Sequence, residues 1–172
     1  MKFDQIEQDI ISWVLKNDFS EKIEISDLFL LSVDKISEMQ KAILTGKESQ
    51  AIESIGGYLI NWIIMINKYN PNESLYTICA VSPFEGDIDW LPTFRKIRTV
   101  KECLLALTYD NGEIAQGLYT GKVIDKMLVV NIVTSLAVIA NNFKTTLTDC
   151  LIVSWFNIKH ADISKAEELL LF

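Results

Sequence analysis

A segment that occurs twice, 75 residues apart, constrains the fold of this chain more than any other feature of its sequence. Residues 38–47 are E-M-Q-K-A-I-L-T-G-K, and residues 113–122 are E-I-A-Q-G-L-Y-T-G-K. The register holds without a gap between residues 26–64 and 101–139, where six positions are identical: Leu30/Leu105, Glu38/Glu113, Thr45/Thr120, Gly46/Gly121, Lys47/Lys122 and Ile64/Ile139. A fixed internal offset indicates one structural unit used twice. The sequence therefore predicts a fused ancestral dimer with functional groups on the same surface of each copy.

Length and composition limit the classes of protein to consider. At 172 residues the chain fits one domain or two small, closely packed ones. Hydrophobic residues make up 49% of it, which is enough for a sizeable core. The net charge of −7 argues against a nucleic-acid partner, because such an interface needs a basic stripe. An acidic protein that handles phosphates would need a divalent cation or a local cluster of basic side chains.

The cysteines, the single histidine and the apolar stretches predict a cytoplasmic protein with no membrane partner. Cys79, Cys103 and Cys150 are odd in number and lack CxxC spacing, so reduced core thiols are expected. His160 is the only histidine, which argues against histidine metal sites and Ser-His-Asp catalysis. The acidic N-terminal residues do not resemble a signal peptide. The longest apolar stretch, Met127–Ala140, is shorter than the roughly 18–20 residues that span a bilayer.

Apolar residues recur at helical spacing, and no sustained strand alternation interrupts them. A first amphipathic helix is predicted from Phe3, Ile6, Ile10, Trp13 and Val14. A second is expected to end near Thr45, with Gly46 as its C-terminal cap, and a third to run from about Lys47 to Lys68. Asn70 followed by Pro71 predicts the start of a short fourth helix.

The same order returns after a joint at Val81–Pro92. A counterpart of the third helix is expected at Val123–Asn142. Helix starts in this half are marked by three capping boxes, Thr99-x-x-Glu102, Thr146-x-x-Asp149 and Ser164-x-x-Glu167. We therefore predict an all-α fold with a first repeat at 1–80, a joint at 81–92 and a second repeat at 93–172, packed as a pseudo-two-fold bundle.

Acidic residues on these helices predict a metal site. Two acids at i and i+3 of one helix, facing another pair on the antiparallel neighbour, build an oxygen cage for Mg²⁺. The candidate ligands are Asp110, Glu113 and Asn131 in the second copy, and Asp34, Glu38 and Glu53 in the first. Mg²⁺ is thus the cofactor to test.

These acids, the helix-hairpin length and the tandem repeat resemble the MazG-like all-α NTP pyrophosphohydrolase superfamily, over about residues 26–160. The family signature is E-E-x-x-E, followed at a distance by E-x-x-D. In the first copy the signature positions hold Asp34, Lys35, Glu38, Glu53 and Gly56. In the second copy they hold Tyr109, Asp110, Glu113, Leu128 and Asn131. The resemblance implies a helical repeat that holds Mg²⁺ and a nucleoside triphosphate.

Neither copy has the full set of family ligands. The first copy keeps two of them but has Lys35 and Gly56 at the other two positions, which makes it a vestigial site. An ammonium at Lys35 could pair with Glu38 or Glu53 in place of the missing cation. The second copy keeps two acids and an amide and loses one ligand to Leu128.

Other residues have a functional and an ordinary interpretation. The two T-G-K turns could cradle phosphate, but they lack the Walker spacing and a glycine there more often ends a helix. The tryptophans could stack a base, although aromatic residues at helical spacing usually lie in the core; they are Trp13, Trp62, Trp90 and Trp155. Lys159, next to His160, could bind phosphate or simply complement a helix dipole.

Three functions remain open at this stage. The loss of ligands favours a degenerate MazG-like protein that binds a nucleotide or a protein partner, with no catalytic residue assigned. The alternative is a Mg²⁺-dependent (d)NTP pyrophosphohydrolase that uses the second copy, in which the metal polarises the phosphate and positions water. The third is a structural helical scaffold. The chain would be a monomer with an internal pseudo-dimer, or a homo-oligomer.

Overall fold

The computed structural model describes residues 1–80, 88–89, 99–161 and 165–166. Those residues form eight α-helices and no strand, which confirms the all-α class: α1 Phe3–Lys16, α2 Phe19–Lys22, α3 Ile25–Leu44, α4 Glu48–Tyr69, α5 Leu75–Ala80, α6 Val100–Tyr119, α7 Lys126–Asn142 and α8 Leu147–Lys159. Within the predicted joint only Ile88 and Asp89 are described, and the predicted box at Ser164 and Glu167 lies outside the described residues.

The two copies of the repeated segment form the same helix and the same turn. Helices α3 and α6 are both 20 residues long, and they start 75 positions apart. After each helix the glycine of the T-G-K sequence, Gly46 or Gly121, has φ +68°. The amide of the next lysine donates to a carbonyl five residues back, at 2.8 Å in the first copy and 2.9 Å in the second. Both T-G-K sequences are therefore glycine-ended helix C-termini.

The second helices of the two copies start at different positions. Helix α4 begins directly after its turn at Glu48, whereas α7 begins at Lys126, three residues later than predicted. The Asp125 side chain accepts a hydrogen bond from the Met127 amide at 2.8 Å. An aspartate cap satisfies a free amide of the first turn, and this cap fixes the later start.

Helix α4 lies at the centre of the molecule. Every residue from Tyr58 to Ile66 is buried. The helix packs against α1, α3, α5, α7 and α8. A helix that is apolar around its whole circumference has to be enclosed by neighbours, and these five helices enclose it.

The two predicted repeats contact each other through their last helices. Helix α8, at the end of the second repeat, packs on α4 of the first, and α5, at the end of the first repeat, packs on α7 of the second. An ion pair between Lys126 Nζ and Glu73 Oε1, at 2.6 Å, joins the segment before α5 to the start of α7. From the joint, Asp89 accepts hydrogen bonds from the amide (3.1 Å) and the hydroxyl (2.6 Å) of Thr148 in α8.

The contact between α4 and α8 is closest at Gly56. A Cβ atom at this position would overlap the carbonyl oxygen of Cys150 and the hydroxyl of Ser154, and it would lie 2.8 Å from the Cys150 carbonyl carbon. The backbone of α8 can approach α4 this closely only because Gly56 has no side chain.

A buried carboxylate holds the start of α5. Glu7 of α1 is 1% exposed. Its two oxygens accept hydrogen bonds from the amides of Leu75 (2.6 Å) and Tyr76 (3.1 Å). The predicted helix start at Asn70 was wrong, because the residues from Asn70 to Glu73 form a turn. Helix α5 starts at Leu75 and is capped locally by Ser74, whose Oγ accepts a hydrogen bond from the Thr77 amide at 3.0 Å.

The thiols are buried, as predicted. Cys79, Cys103 and Cys150 form no disulfide, and burial raises the pKa of Cys79 and Cys150 to about 12. Within the described ranges no single helix has both the length and the apolar composition to cross a membrane, and α7 and α8 meet these criteria only as a pair bent by 90°.

We expect Gly56→Ala to lower the free energy of unfolding by at least about 2 kcal/mol, because the new methyl group forces α8 away from α4. Urea unfolding followed by circular dichroism measures this. Gly112→Ala in α6 is the matched control, because a Cβ there meets no described atom within 4 Å. The control should be neutral, or more stable by up to about 1 kcal/mol. Equal effects at both positions would contradict the close contact.

The second prediction concerns pH. Burial raises the pKa of Glu7 above 4.5, although the amides of Tyr76 and Leu75 partly oppose the rise. A folded state that binds the proton more tightly gains stability below pH 4.5 and loses it as the pH rises through the raised pKa. The free energy of unfolding of the native protein minus that of Glu7→Gln should therefore decrease as the pH rises from 4.5 through the raised pKa. Glu21→Gln, at an exposed position, is the control. A difference for Glu7→Gln that does not change with pH, or that changes with pH as much as the difference for Glu21→Gln, would contradict this prediction.

Candidate functional site

Two clefts lie at equivalent places in the two repeats. The first-repeat cleft, about 500 Å³, lies between α3 and α4 beside their turn and is lined by Lys35, Glu38, Lys41, Ala42, Thr45, Lys47, Gln50, Glu53 and Ser54. The second-repeat cleft, about 170 Å³, lies between α6 and α7, and its lining includes Glu113, Gln116, Gly117, Lys122, Asp125 and Leu128. Each of these six residues is 75 positions beyond a lining residue of the first-repeat cleft. Each copy of the repeated segment thus forms a cleft at the same place, and the two clefts differ in their charged side chains.

Lys35 and Glu38 form an ion pair in the first-repeat cleft. The distance from Lys35 Nζ to Glu38 Oε2 is 2.8 Å, which confirms that Lys35 reaches one of its two predicted partners. The hydroxyl of Ser54 donates to the same oxygen at 3.5 Å. The stem of Lys35 crosses α4 at Gly57, where a Cβ atom would lie 3.2 Å from Lys35 Cδ. Gly57 therefore gives the lysine room to reach the carboxylate.

Glu53 turns toward α8 instead. Its Oε1 accepts a hydrogen bond from Asn157 Nδ2 at 2.9 Å, and its backbone carbonyl accepts one from the Ser154 hydroxyl at 2.7 Å. Asn157 could not be recognised from the sequence, because it lies 104 residues from Glu53 and nothing local links them. The second repeat thus holds a carboxylate of the first-repeat cleft.

The first-repeat cleft does not fit the Mg²⁺ cage of the predicted signature. The ammonium of Lys35 is bonded to one of the carboxylates that would bind the cation. Gly56, the position of the last acid, is covered by the backbone of α8. Asp34 is exposed and is not among the residues that line the cleft.

The three predicted ligands of the second repeat lie in different surroundings. Asp110 is 7% exposed, Glu113 is exposed and lines the second-repeat cleft, and Asn131 is half-buried on α7. Burial raises the pKa of Tyr58, and the neighbouring charge of Asp110 adds to the rise. Asp110 therefore lies close to the core tyrosine of α4. Among the described residues no three His, Cys, Asp or Glu side chains converge as a metal-binding group.

A buried hydrogen bond links the repeats beside Asp110. The hydroxyl of Tyr58 donates to Asn111 Oδ1 at 3.0 Å, and Asn111 Nδ2 donates to the Leu107 carbonyl at 2.7 Å. Asn111 could have been noticed in the sequence as a polar residue on an apolar helix face, but its partner could not.

Lys159 ties α8 to α1. Its Nζ lies 2.6 Å from Asp9 Oδ2, and the same oxygen accepts a hydrogen bond from the Trp155 indole at 2.8 Å. These bonds to Lys159 and Trp155 lower the pKa of Asp9. A role for Lys159 in binding phosphate, which stays a prediction, would require it to leave this carboxylate.

Three of the tryptophans pack against other aromatic rings. Trp13 stacks on Phe19 at 5.1 Å between ring centroids and meets Trp155 edge-on at 5.6 Å. Trp62 is buried, and its ring centroid lies 6.2 Å from that of Tyr58. Its indole N–H has no hydrogen-bond partner in the described part of the chain. Trp90 lies outside the described residues. Neither Trp13, Trp62 nor Trp155 lines either cleft, which favours the core interpretation.

The chain matches no protein-family model, and searches of curated proteins and solved structures give no match.

We expect Lys35→Glu to make the first repeat responsive to Mg²⁺. Two neighbouring carboxylates repel each other, so the variant should lose about 0.5–1 kcal/mol of stability without metal and regain it with millimolar Mg²⁺. Thermal unfolding with and without Mg²⁺ measures both effects. Lys35→Met, which removes the charge without adding a ligand, should not respond to Mg²⁺. If the two variants behave alike, the ammonium does not act in place of a cation.

Proposed function

We propose that this protein is a degenerate relative of the MazG-like all-α NTP pyrophosphohydrolases, which binds a ligand or a protein partner and does not hydrolyse nucleotides efficiently. The proposal rests on the repeat, on the equivalent clefts and on the loss of metal ligands. The observation that carries it is the Lys35–Glu38 ion pair at 2.8 Å, which lies where the signature requires a cation between carboxylates.

The contact between α3 and α6 supports a pseudo-two-fold arrangement of the repeats. A largely apolar groove of about 330 Å³ between them is lined by Phe29 together with equivalent positions of both helices: Val33, Ile36, Ser37 and Gln40 on α3, and Thr108, Asn111, Gly112 and Ala115 on α6. Gln40 Nε2 donates to Thr108 Oγ1 at 3.4 Å, and Thr108 is the equivalent of Val33. At a two-fold interface, a residue of one copy contacts a different position of the other copy, as Gln40 does here with the equivalent of Val33.

The crosswise packing of the last helices supports the same arrangement. Helix α8 covers α4, and α5 covers α7, so each repeat ends on the other repeat's second long helix. Reciprocal exchange of this kind is expected when a two-fold dimer becomes a single chain.

A binding function fits these sites better than catalysis does. Catalysis needs a metal placed to stabilise charge that develops only in the transition state. In the first repeat a lysine and the backbone of α8 occupy two of the positions where ligands are needed. Binding depends on charge and shape in the ground state, so a cleft can keep it after the cage is lost.

The second repeat supports one alternative, a Mg²⁺-dependent (d)NTP pyrophosphohydrolase. Glu113 and Asp125 both line the second-repeat cleft, and Asp110 precedes Glu113 by one helical turn. Leu128 in the same lining supplies no ligand, and the cleft holds only about 170 Å³. These features favour the binding function over the enzyme.

The activity test is direct. Purified protein incubated with each (d)NTP and Mg²⁺ or Mn²⁺ should release pyrophosphate at the rate of a no-protein control, because neither repeat assembles the cage. Glu113→Ala should leave that background unchanged. Pyrophosphate release well above the control that disappears in Glu113→Ala would overturn the proposal and make the second repeat an active site.

A further inference from the structure

The first-repeat cleft is positively charged in an acidic protein. Three lysines and two glutamates line it, whereas the whole chain carries a net charge of −7. Its volume of about 500 Å³ lies within the range of small-molecule sites. A cleft of this sign attracts an anion, although the chain as a whole is negatively charged.

Neither glutamate of the cleft is aimed at the two remaining lysines. Glu38 is bonded to Lys35, and Glu53 is held by Asn157 of α8. Within the described ranges Lys41 and Lys47 have no carboxylate at salt-bridge distance, and both are exposed. Lys41 lies in the last turn of α3 and Lys47 directly precedes α4, so the two lysines line the cleft from either side of the turn between these helices.

We propose that Lys41 and Lys47 bind the phosphate groups of a small phosphorylated anion directly, without a divalent cation. Each ammonium can form charge-assisted hydrogen bonds to phosphate oxygens, and Lys35 neutralises the carboxylate that would otherwise repel them. This proposal rests on the proposed binding function and names its ligand class.

The second-repeat cleft provides an internal comparison. Gln116 stands at the position of Lys41, and Asp125 stands at the position of Gln50. With Glu113, that lining has two carboxylates and one lysine, Lys122. The second-repeat cleft therefore repels phosphate, so of these two clefts only the first-repeat cleft is expected to bind an anion.

Asn157 is a positioning residue for this site. If its amide is removed, Glu53 can turn back toward Lys41 and Lys47 and compete with phosphate for them. The contact comes from α8 of the second repeat, so that helix sets the orientation of a carboxylate in the first-repeat cleft.

The experiment is calorimetric titration of the full chain with tripolyphosphate and, in parallel, with ATP, both in EDTA. Binding should occur without metal and weaken as ionic strength rises. Lys41→Ala and Lys47→Ala should each reduce affinity about tenfold, the effect of losing one charge-assisted hydrogen bond. Lys122→Ala, at the position equivalent to Lys47, should leave affinity unchanged. Asn157→Ala should weaken binding, with the thermal unfolding midpoint as a check on folding.

The two anions separate the sources of phosphate. Equal affinity assigns the site to phosphate groups alone, and tighter ATP binding adds a contact to the nucleoside; both outcomes support the proposal. Binding that requires Mg²⁺, or that Lys122→Ala reduces as much as Lys47→Ala, overturns it. Absence of anion binding overturns it too. The proposed binding function would then require a protein partner in place of a phosphorylated ligand. Pyrophosphate release lost in Glu113→Ala would instead overturn the proposed function.

Discussion

The rest of the structure depends on the close contact of α8 with α4 at Gly56. Because this residue has no side chain, the backbone of α8 can lie against the central helix. That contact brings Ser154 and Asn157 to Glu53 and joins the end of the second repeat to the first. It also fills the space that a carboxylate at position 56 would need. Close packing at this one residue is thus incompatible with a metal-binding carboxylate there.

The Lys35–Glu38 pair sets the charge of the first-repeat cleft. An ammonium beside a carboxylate neutralises it without the cost of dehydrating Mg²⁺. The pair is partly exposed, so its contribution to stability is modest, within about 1 kcal/mol. Its main effect is on charge, because it leaves Lys41 and Lys47 as the unneutralised cations of the cleft.

Local signals predicted the helices well, and long-range contacts account for what the sequence could not predict. Thr99 and Thr146 cap α6 and α8 as their capping boxes indicate, and Gly46 ends α3. The start of α5 was predicted too early because its local cap is Ser74 and not Asn70, and the contact with Glu7, 68 residues away, is not visible in the sequence. The Lys35 ion pair was predictable, since both partners lie one turn apart on a helix. The hydrogen bond from Asn157 to Glu53 was not predictable, because it depends on how α8 packs on α4.

The two copies of the repeated segment share a helix and its glycine turn, and they differ in the charges of their side chains. Both have the same first helix, the same glycine turn and a cleft at the same place. Asp110, the equivalent of Lys35, is buried beside Tyr58 of the other repeat, whereas Lys35 itself turns into its own cleft. In a symmetric dimer both clefts would have to carry the same charge. Within a single chain the two clefts can differ, and here one of the two equivalent positions packs in the core while the other lies in an open, positively charged cleft.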